Sequence, residues 1–159
     1  MRHKILQLKR IRELRAQQKQ RETSAARAAV AAADKALEML GLEYRAVQRE
    51  IQAARLSLSQ PGTTLTGVEI EQQLQKTARL EGYLRAMVPR VKAADQARKR
   101  TRVQLDEAKE RQKAADRSVD QILQLDKRLE AEETAEAERL EEMQEEPRAK
   151  PPLFPDDRG

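Results

Sequence analysis

Residues 26–58 read ARAAVAAADKALEMLGLEYRAVQREIQAARLSL, and their spacing decides the fold. Taken at alternating steps of four and three, the segment gives Ala26, Val30, Ala33, Leu37, Leu40, Tyr44, Val47, Ile51, Ala54 and Leu58. Ten consecutive positions on one helical face carry no charge, which is the pattern of a helix that buries a narrow stripe against another helix. Composition points the same way. Tyr44, Tyr83 and Phe154 are the only aromatics, so no thick core can be filled, while 37% of the chain is charged. An abundance of Ala, Glu, Leu, Arg, Lys and Gln favours long helices over strands.

Outward from this segment, helix 1 is expected over about 4–59. Upstream of Ala26 the apolar frame fails, because Thr23, Lys19 and Arg12 fall on it and Ile5, Leu8 and Ile11 form a separate apolar cluster. The stretch Ser59-Gln60-Pro61-Gly62-Thr63-Thr64 reads as a turn: proline fixes its own φ and disfavours helix before it, and glycine permits positive φ. The turn spans 60–66. Thr66-Gly67-Val68-Glu69 then has the form of a capping box, which makes residue 66 the N-cap of helix 2.

From Ile70 one heptad frame can be carried to Met143. One row begins Ile70, Thr77, Leu84, Val91, Arg98, Leu105, and the other begins Gln73, Leu80, Met87, Ala94, Thr101, Ala108, so helix 2 is expected over about 67–145. Pro89 inside it removes one backbone hydrogen bond and predicts a bend without a break. Residues 147–159 contain four prolines and few apolar side chains, the composition of a disordered tail. The expected fold is therefore all-α: two long helices forming an antiparallel coiled-coil hairpin over residues 1–146, helix 2 longer than helix 1.

A turn centred near residue 62 pairs positions whose numbers sum to about 125. Helix 2 would then overhang helix 1 by about 25 residues, roughly 37 Å at about 1.5 Å per residue. The overhang carries Leu123, Leu125, Leu129, Leu140 and Met143, and residues 126–146 hold ten acidic and three basic side chains. Residues 1–21 carry eight basic side chains and one acidic one, Glu13. A charge run on a coiled coil is ordinarily a solvated face, but leucines without an internal partner point to an external one or to self-association.

Several function classes find no support in the residues. There is no phosphate-binding glycine loop, no HExxH, no cysteine and a single histidine, His3, which reads as a solvated polar residue. Carboxylates abound, but solvated helices offer them no enclosing pocket to tune their pKa values. No enzyme, metal or cofactor site is expected. No apolar run is long enough to cross a bilayer, and the first residues lack the apolar core and cleavage site of a signal peptide, so a cytoplasmic protein is expected. Ile5, Leu8 and Ile11 among lysines and arginines would support at most an auxiliary membrane contact.

Two binding classes remain. The net charge of +5 and the basic stretches 2–21 and 85–102, the latter with Arg90, Lys92, Arg98, Lys99, Arg100 and Arg102, are the footprint of phosphate-backbone binding. Against nucleic acid stand the missing stacking aromatics and the acidic end of helix 2. The other class is a rod that binds proteins at its ends. Here the opening Lys4-Ile5-Leu6-Gln7-Leu8-Lys9-Arg10-Ile11-Arg12-Glu13-Leu14-Arg15-Ala16 resembles the basic, leucine-spaced start of the YscO-type proteins of bacterial type III secretion systems, relatives of the flagellar export protein FliJ. The likeness extends to length, to the turn near residue 60, to Glu71-Gln72-Gln73-Leu74-Gln75-Lys76 at the start of helix 2 and to the glutamate-rich end.

That resemblance implies a central stalk at the base of the secretion apparatus, peripheral to the inner membrane. Its terminal ends would enter the pore of a hexameric secretion ATPase, and its turn end would face the cytoplasmic domain of the export-gate membrane protein. It implies no small-molecule substrate and leaves export chaperones open as further partners. Lys9, Arg10, Arg12 and Arg15, with Leu125, Leu129 and Leu140, would meet the ATPase. Leu74, Ala78, Glu81, Tyr83 and Arg85 would meet the gate. A basic coiled coil that associates with nucleic acid, or a scaffold, is the alternative.

Overall fold

The computed structural model describes residues 1–60, 62 and 64–149, with side chains described as far as 145. Two helices account for nearly all of it: α1, Arg2–Ser59, and α2, Gly67–Ala149. They pack against each other as an antiparallel hairpin, and α2 is the longer. By its contacts the chain divides into one compact unit of Met1–Gln18 with the α2 residues from Lys113 on, and a second of Lys19–Gln112.

In the second unit the expected seam is the observed one. Every frame position from Ala26 to Leu58 is buried or half-buried, with Val47, Ile51 and Ala54 the most enclosed on α1. On α2, Met87 is only 1% exposed. Burying such a side chain contributes about 1.5–3 kcal/mol, so a few layers of this kind hold the hairpin together without any thicker core. The helix passes through Gly41 without interruption.

The turn is built as its residues dictate. Gly62 has a φ of 98°, in the left-handed region where a Cβ would be strained. Thr66 caps α2 in both directions: the Glu69 amide donates to its hydroxyl at 3.3 Å, and its own amide donates to the Glu69 carboxylate at 3.3 Å. The first helical bond, Ile70 N–H to the Thr66 carbonyl, is 3.0 Å long. Pro89 is exposed and α2 is continuous through it. The helix also runs through Pro147 to Ala149, past the expected end at 145. The remainder of the expected tail, 150–159, lies outside the described residues.

The frame does not fail before Ala26. Thr23 is 2% exposed, Lys19 is half-buried, and in the first unit Ala16, Arg12 and Lys9 are half-buried and Ile5 is buried. These fall at the same steps of three and four. Thr23 and Arg12 occupy the frame with backbone partners, and Lys19 with a carboxylate: the Thr23 hydroxyl donates to the Lys19 carbonyl at 2.9 Å and lies 3.3 Å from that of Ala108, Arg12 donates to the Ser118 carbonyl at 2.8 Å, and Lys19 pairs with Glu22 at 3.2 Å. The expected apolar cluster therefore divides. Ile5 turns into the seam, while Leu8 and Ile11 stay outside, 40% and 46% exposed.

Register is the second correction. Thr23 meets Ala108 and Arg12 meets Ser118, five to six residues further along α2 than a pairing centred on residue 62 predicts. The first turn of α2 lies outside the seam: Ile70 is exposed, and the seam on α2 begins at Gln73 and Thr77. At the other end Arg2 reaches Glu130 and Glu133, and every described residue from 131 to 145 is exposed. The overhang of α2 thus starts near residue 134 and is about ten residues shorter than expected.

Met87→Ala should lower the free energy of unfolding by about 2–4 kcal/mol, because the seam closes poorly over a lost side chain, whereas Val103→Ala on the exposed face should stay within about 0.5 kcal/mol. Chemical denaturation followed by helical circular dichroism measures both, and equal effects would reject this seam.

Candidate protein-binding surfaces

The first unit joins the basic start of α1 to the acidic part of α2. Arg2 sends one guanidinium nitrogen to Glu130 at 2.8 Å and the other to Glu133 at 3.2 Å, all three half exposed. Such pairs are worth about 0–1 kcal/mol each in solvent, enough to bias the first turn but not to lock it. Of the four cations singled out by sequence, Lys9 and Arg12 are partly in the seam and Arg12 is committed to Ser118, while Arg10 and Arg15 are exposed. Lys4, Leu8, Ile11 and Arg15 follow at steps of four, three and four, so they share one face beside the seam. Leu14 is 57% exposed next to them. Reading only the apolar cluster missed this mixed stripe, since the signal lies in where Leu8 and Ile11 stand relative to the buried Ile5.

The three leucines assigned to the same partner separate. Leu129 is half-buried against the start of α1, Leu125 is 44% exposed, and Leu140 is 60% exposed on the overhang with Met143. The overhang is a solvated acidic helix bearing a short apolar step.

In the second unit the gate candidates also divide. Leu74, Ala78, Glu81 and Arg85 follow at steps of four, three and four and so lie on one face of α2. Leu74 and Arg85 are exposed, and Glu81 is half-buried in an ion pair with Arg55. A shallow groove of about 510 Å³ lined by Gln48, Ile51, Gln52, Arg55, Glu81, Leu84 and Arg85 runs beside them. Tyr83 does not belong to this face: two residues after Glu81 it is turned about 200° round the helix. Its phenol donates to Glu43 on α1. That hydrogen bond to a carboxylate is the main cause that raises the Tyr83 pKa above its ordinary 10.0. Val68 and Ile70, left exposed by the register, are apolar neighbours of Leu74 that the sequence frame assigned elsewhere or passed over.

The basic stretch of α2 is partly neutralised within the chain. Arg98 and Lys99 pair with Asp95 at 3.7 and 3.3 Å, and Arg102 with Asp34 at 3.5 Å. Arg98 sits in the seam with its Nε buried and without a hydrogen-bond partner. Among the described residues there is no cluster of three His, Cys, Asp or Glu able to hold a metal, and no helix is long and apolar enough to cross a membrane. No family model, no curated protein and no solved structure matches this chain.

Because the Tyr83 pKa is raised in the folded state, the neutral phenol is the form the fold favours; its contribution is present in full below the unfolded pKa and is lost as pH rises through the folded one. Glu43→Ala, made in a Tyr44→Phe background so that only Tyr83 reports, should bring the tyrosinate absorbance titration down toward 10.0. An unmoved titration would show that Glu43 is not the cause.

Proposed function

We propose that this chain is a non-enzymatic central stalk of a bacterial type III secretion apparatus, of the YscO type. It stimulates a hexameric secretion ATPase through the basic start of α1 and the acidic overhang of α2. It meets the cytoplasmic domain of the export gate through the face of Leu74, Ala78, Glu81 and Arg85. What supports the reading is the uncovered end of α2: residues 134–145 are all exposed and carry Leu140 and Met143, while Leu8, Ile11, Arg10 and Arg15 are exposed on the start of α1, so apolar and charged groups are left for a second protein. Apolar residues held out of a seam in this way generally mark a docking surface. The mixed charge of that end suits a partner surface with both signs, and such complementarity chiefly speeds and orients association.

One observation favours the alternative. Lys92 and Arg100 are exposed and form no ion pair with the described residues, so part of the basic stretch remains open to a phosphate backbone. The two readings part on salt. Nucleic-acid binding would fall steeply with ionic strength, by an amount set by the number of phosphates neutralised.

The decisive measurement is ATP hydrolysis by a purified hexameric type III secretion ATPase with and without this chain. The full chain should co-purify with the hexamer and raise its rate. Joint reversal of Lys9, Arg10 and Arg15 to glutamate should remove most of that stimulation while leaving the helical circular dichroism intact. Arg12 is kept in this variant because it holds Ser118. Unchanged stimulation would reject the assignment of the ATPase contact, and absence of any stimulation by the native chain would reject the stalk.

A further inference from the structure

Helix α1 has a second apolar row. Moving two residues on from each seam position between Ala26 and Ala54 turns the helix about 200°, to the face opposite α2. The nine positions so reached, from Ala28 to Leu56, are all exposed. Four are alanine, three are Met39, Leu42 and Leu56, and only Lys35 and Arg49 carry charge. Met39, Leu42 and Leu56 are 60%, 52% and 63% exposed. A helix that only needs to pair with α2 would be polar on this side. Steps of four and three sustained over four heptads are instead the mark of a second seam.

We propose that this row is the interface of a homodimer in which α1 of one copy packs antiparallel against α1 of another, Met39 of each opposite Leu42 of its partner. The charges choose that arrangement. Glu38 and Arg45 flank the row on one side, and Glu43 and Glu50 on the other. With Met39 opposite Leu42, two-fold symmetry sets Glu38 of each copy beside Arg45 of the other, twice. Lys35 then faces Ala46, with Glu43 and Glu50 one turn to either side, and Arg49 lies along the small surface of Ala32. Sliding by one heptad in one direction puts Glu38 on Glu38; sliding in the other puts Arg45 on Arg45. A parallel pairing sets Lys35 on Lys35 and Arg49 on Arg49 inside the seam. Only the proposed register satisfies the charges, and an interface related by two-fold symmetry must be self-complementary in this way. Lys35, Glu38 and Glu50 have no ion-pair partner among the described residues of the single chain; Arg45 donates only its Nε to the Gly41 carbonyl, at 3.2 Å, and Glu43 accepts from Tyr83 through one carboxylate oxygen, which leaves its other oxygen to Lys35. The alanines let the two backbones approach closely. This interface lies within the second unit and stands independently of the stalk reading: α1 before Ala28 and the overhang of α2 are left uncovered.

The experiment is light scattering and sedimentation of the full chain across a concentration series, with four changes. The native chain should reach twice its 18.2 kDa mass as concentration rises. Leu42→Glu, at an exposed position, should leave a monomer with unchanged helical circular dichroism. Glu38→Arg should weaken the dimer by about tenfold, since two flanking pairs become repulsive, and adding Arg45→Glu should restore it. Because the chain has no cysteine, Met39→Cys and Leu42→Cys chains when mixed should form a disulfide with each other in preference to themselves. A chain that is monomeric at every concentration overturns the proposal. So does a dimer that survives Leu42→Glu, and so does self-linking of Met39→Cys alone, which would signify a parallel pairing.

Discussion

A shortage of bulk governs this molecule. With two tyrosines and one phenylalanine in 159 residues, apolar surface cannot be gathered into a thick core and has to be covered along a line. A line of contact between two helices admits one side chain at a time, at steps of three and four, and what matters at each step is that the occupant be satisfied. Leucine and methionine meet this by dispersion and exclusion of water. Thr23, Thr77 and Arg12 meet it by donating to backbone carbonyls at 2.8–2.9 Å, so the seam continues where the apolar pattern lapses. Arg98, whose Nε has no partner, marks the place where the rule is met least well.

This explains what could be read in the sequence and what could not. The helices, the turn at Gly62, the cap at Thr66 and the seam from Ala26 to Leu58 were legible because each depends on short-range chemistry: a φ, a reciprocal pair of hydrogen bonds, a period. The frame upstream of Ala26 was not legible from hydrophobicity, since Lys19, Arg12 and Lys9 look like surface residues until the carbonyl or solvent path of their long side chains is known. Register was the least legible of all. No local period, φ or cap specifies it, and a shift of five to six residues leaves Ile70 outside the seam and brings Leu129 into it.

The same shift decides which candidate residues are free to meet a partner. Leu129 is spent on α1, Arg12 on Ser118, Glu81 on Arg55 and Tyr83 on Glu43. Left outside are Arg10, Arg15, Leu140 and Met143 in one unit, and Leu74, Ala78 and Arg85 in the other. Resemblance assigned these residues by position along the chain, and position alone does not distinguish a side chain that holds the hairpin from one that is offered to a partner. The face a residue occupies does, and faces depend on register.

The second row of α1 follows from the same constraint. A helix of 58 residues presents two long sides, and only one of them faces α2. If the outer side had no partner, selection for solubility would favour Lys, Glu or Gln along its length; instead seven of its nine row positions are Met39, Leu42, Leu56 and four alanines, and only Lys35 and Arg49 are charged. Alanine is a good helix former on any surface, so the alanines alone carry little weight. The weight lies with the three large apolar side chains kept in phase, and with flanking charges that match in one register and clash in its neighbours. Phase and charge are independent features of the sequence, and an accidental apolar row would have no reason to satisfy both.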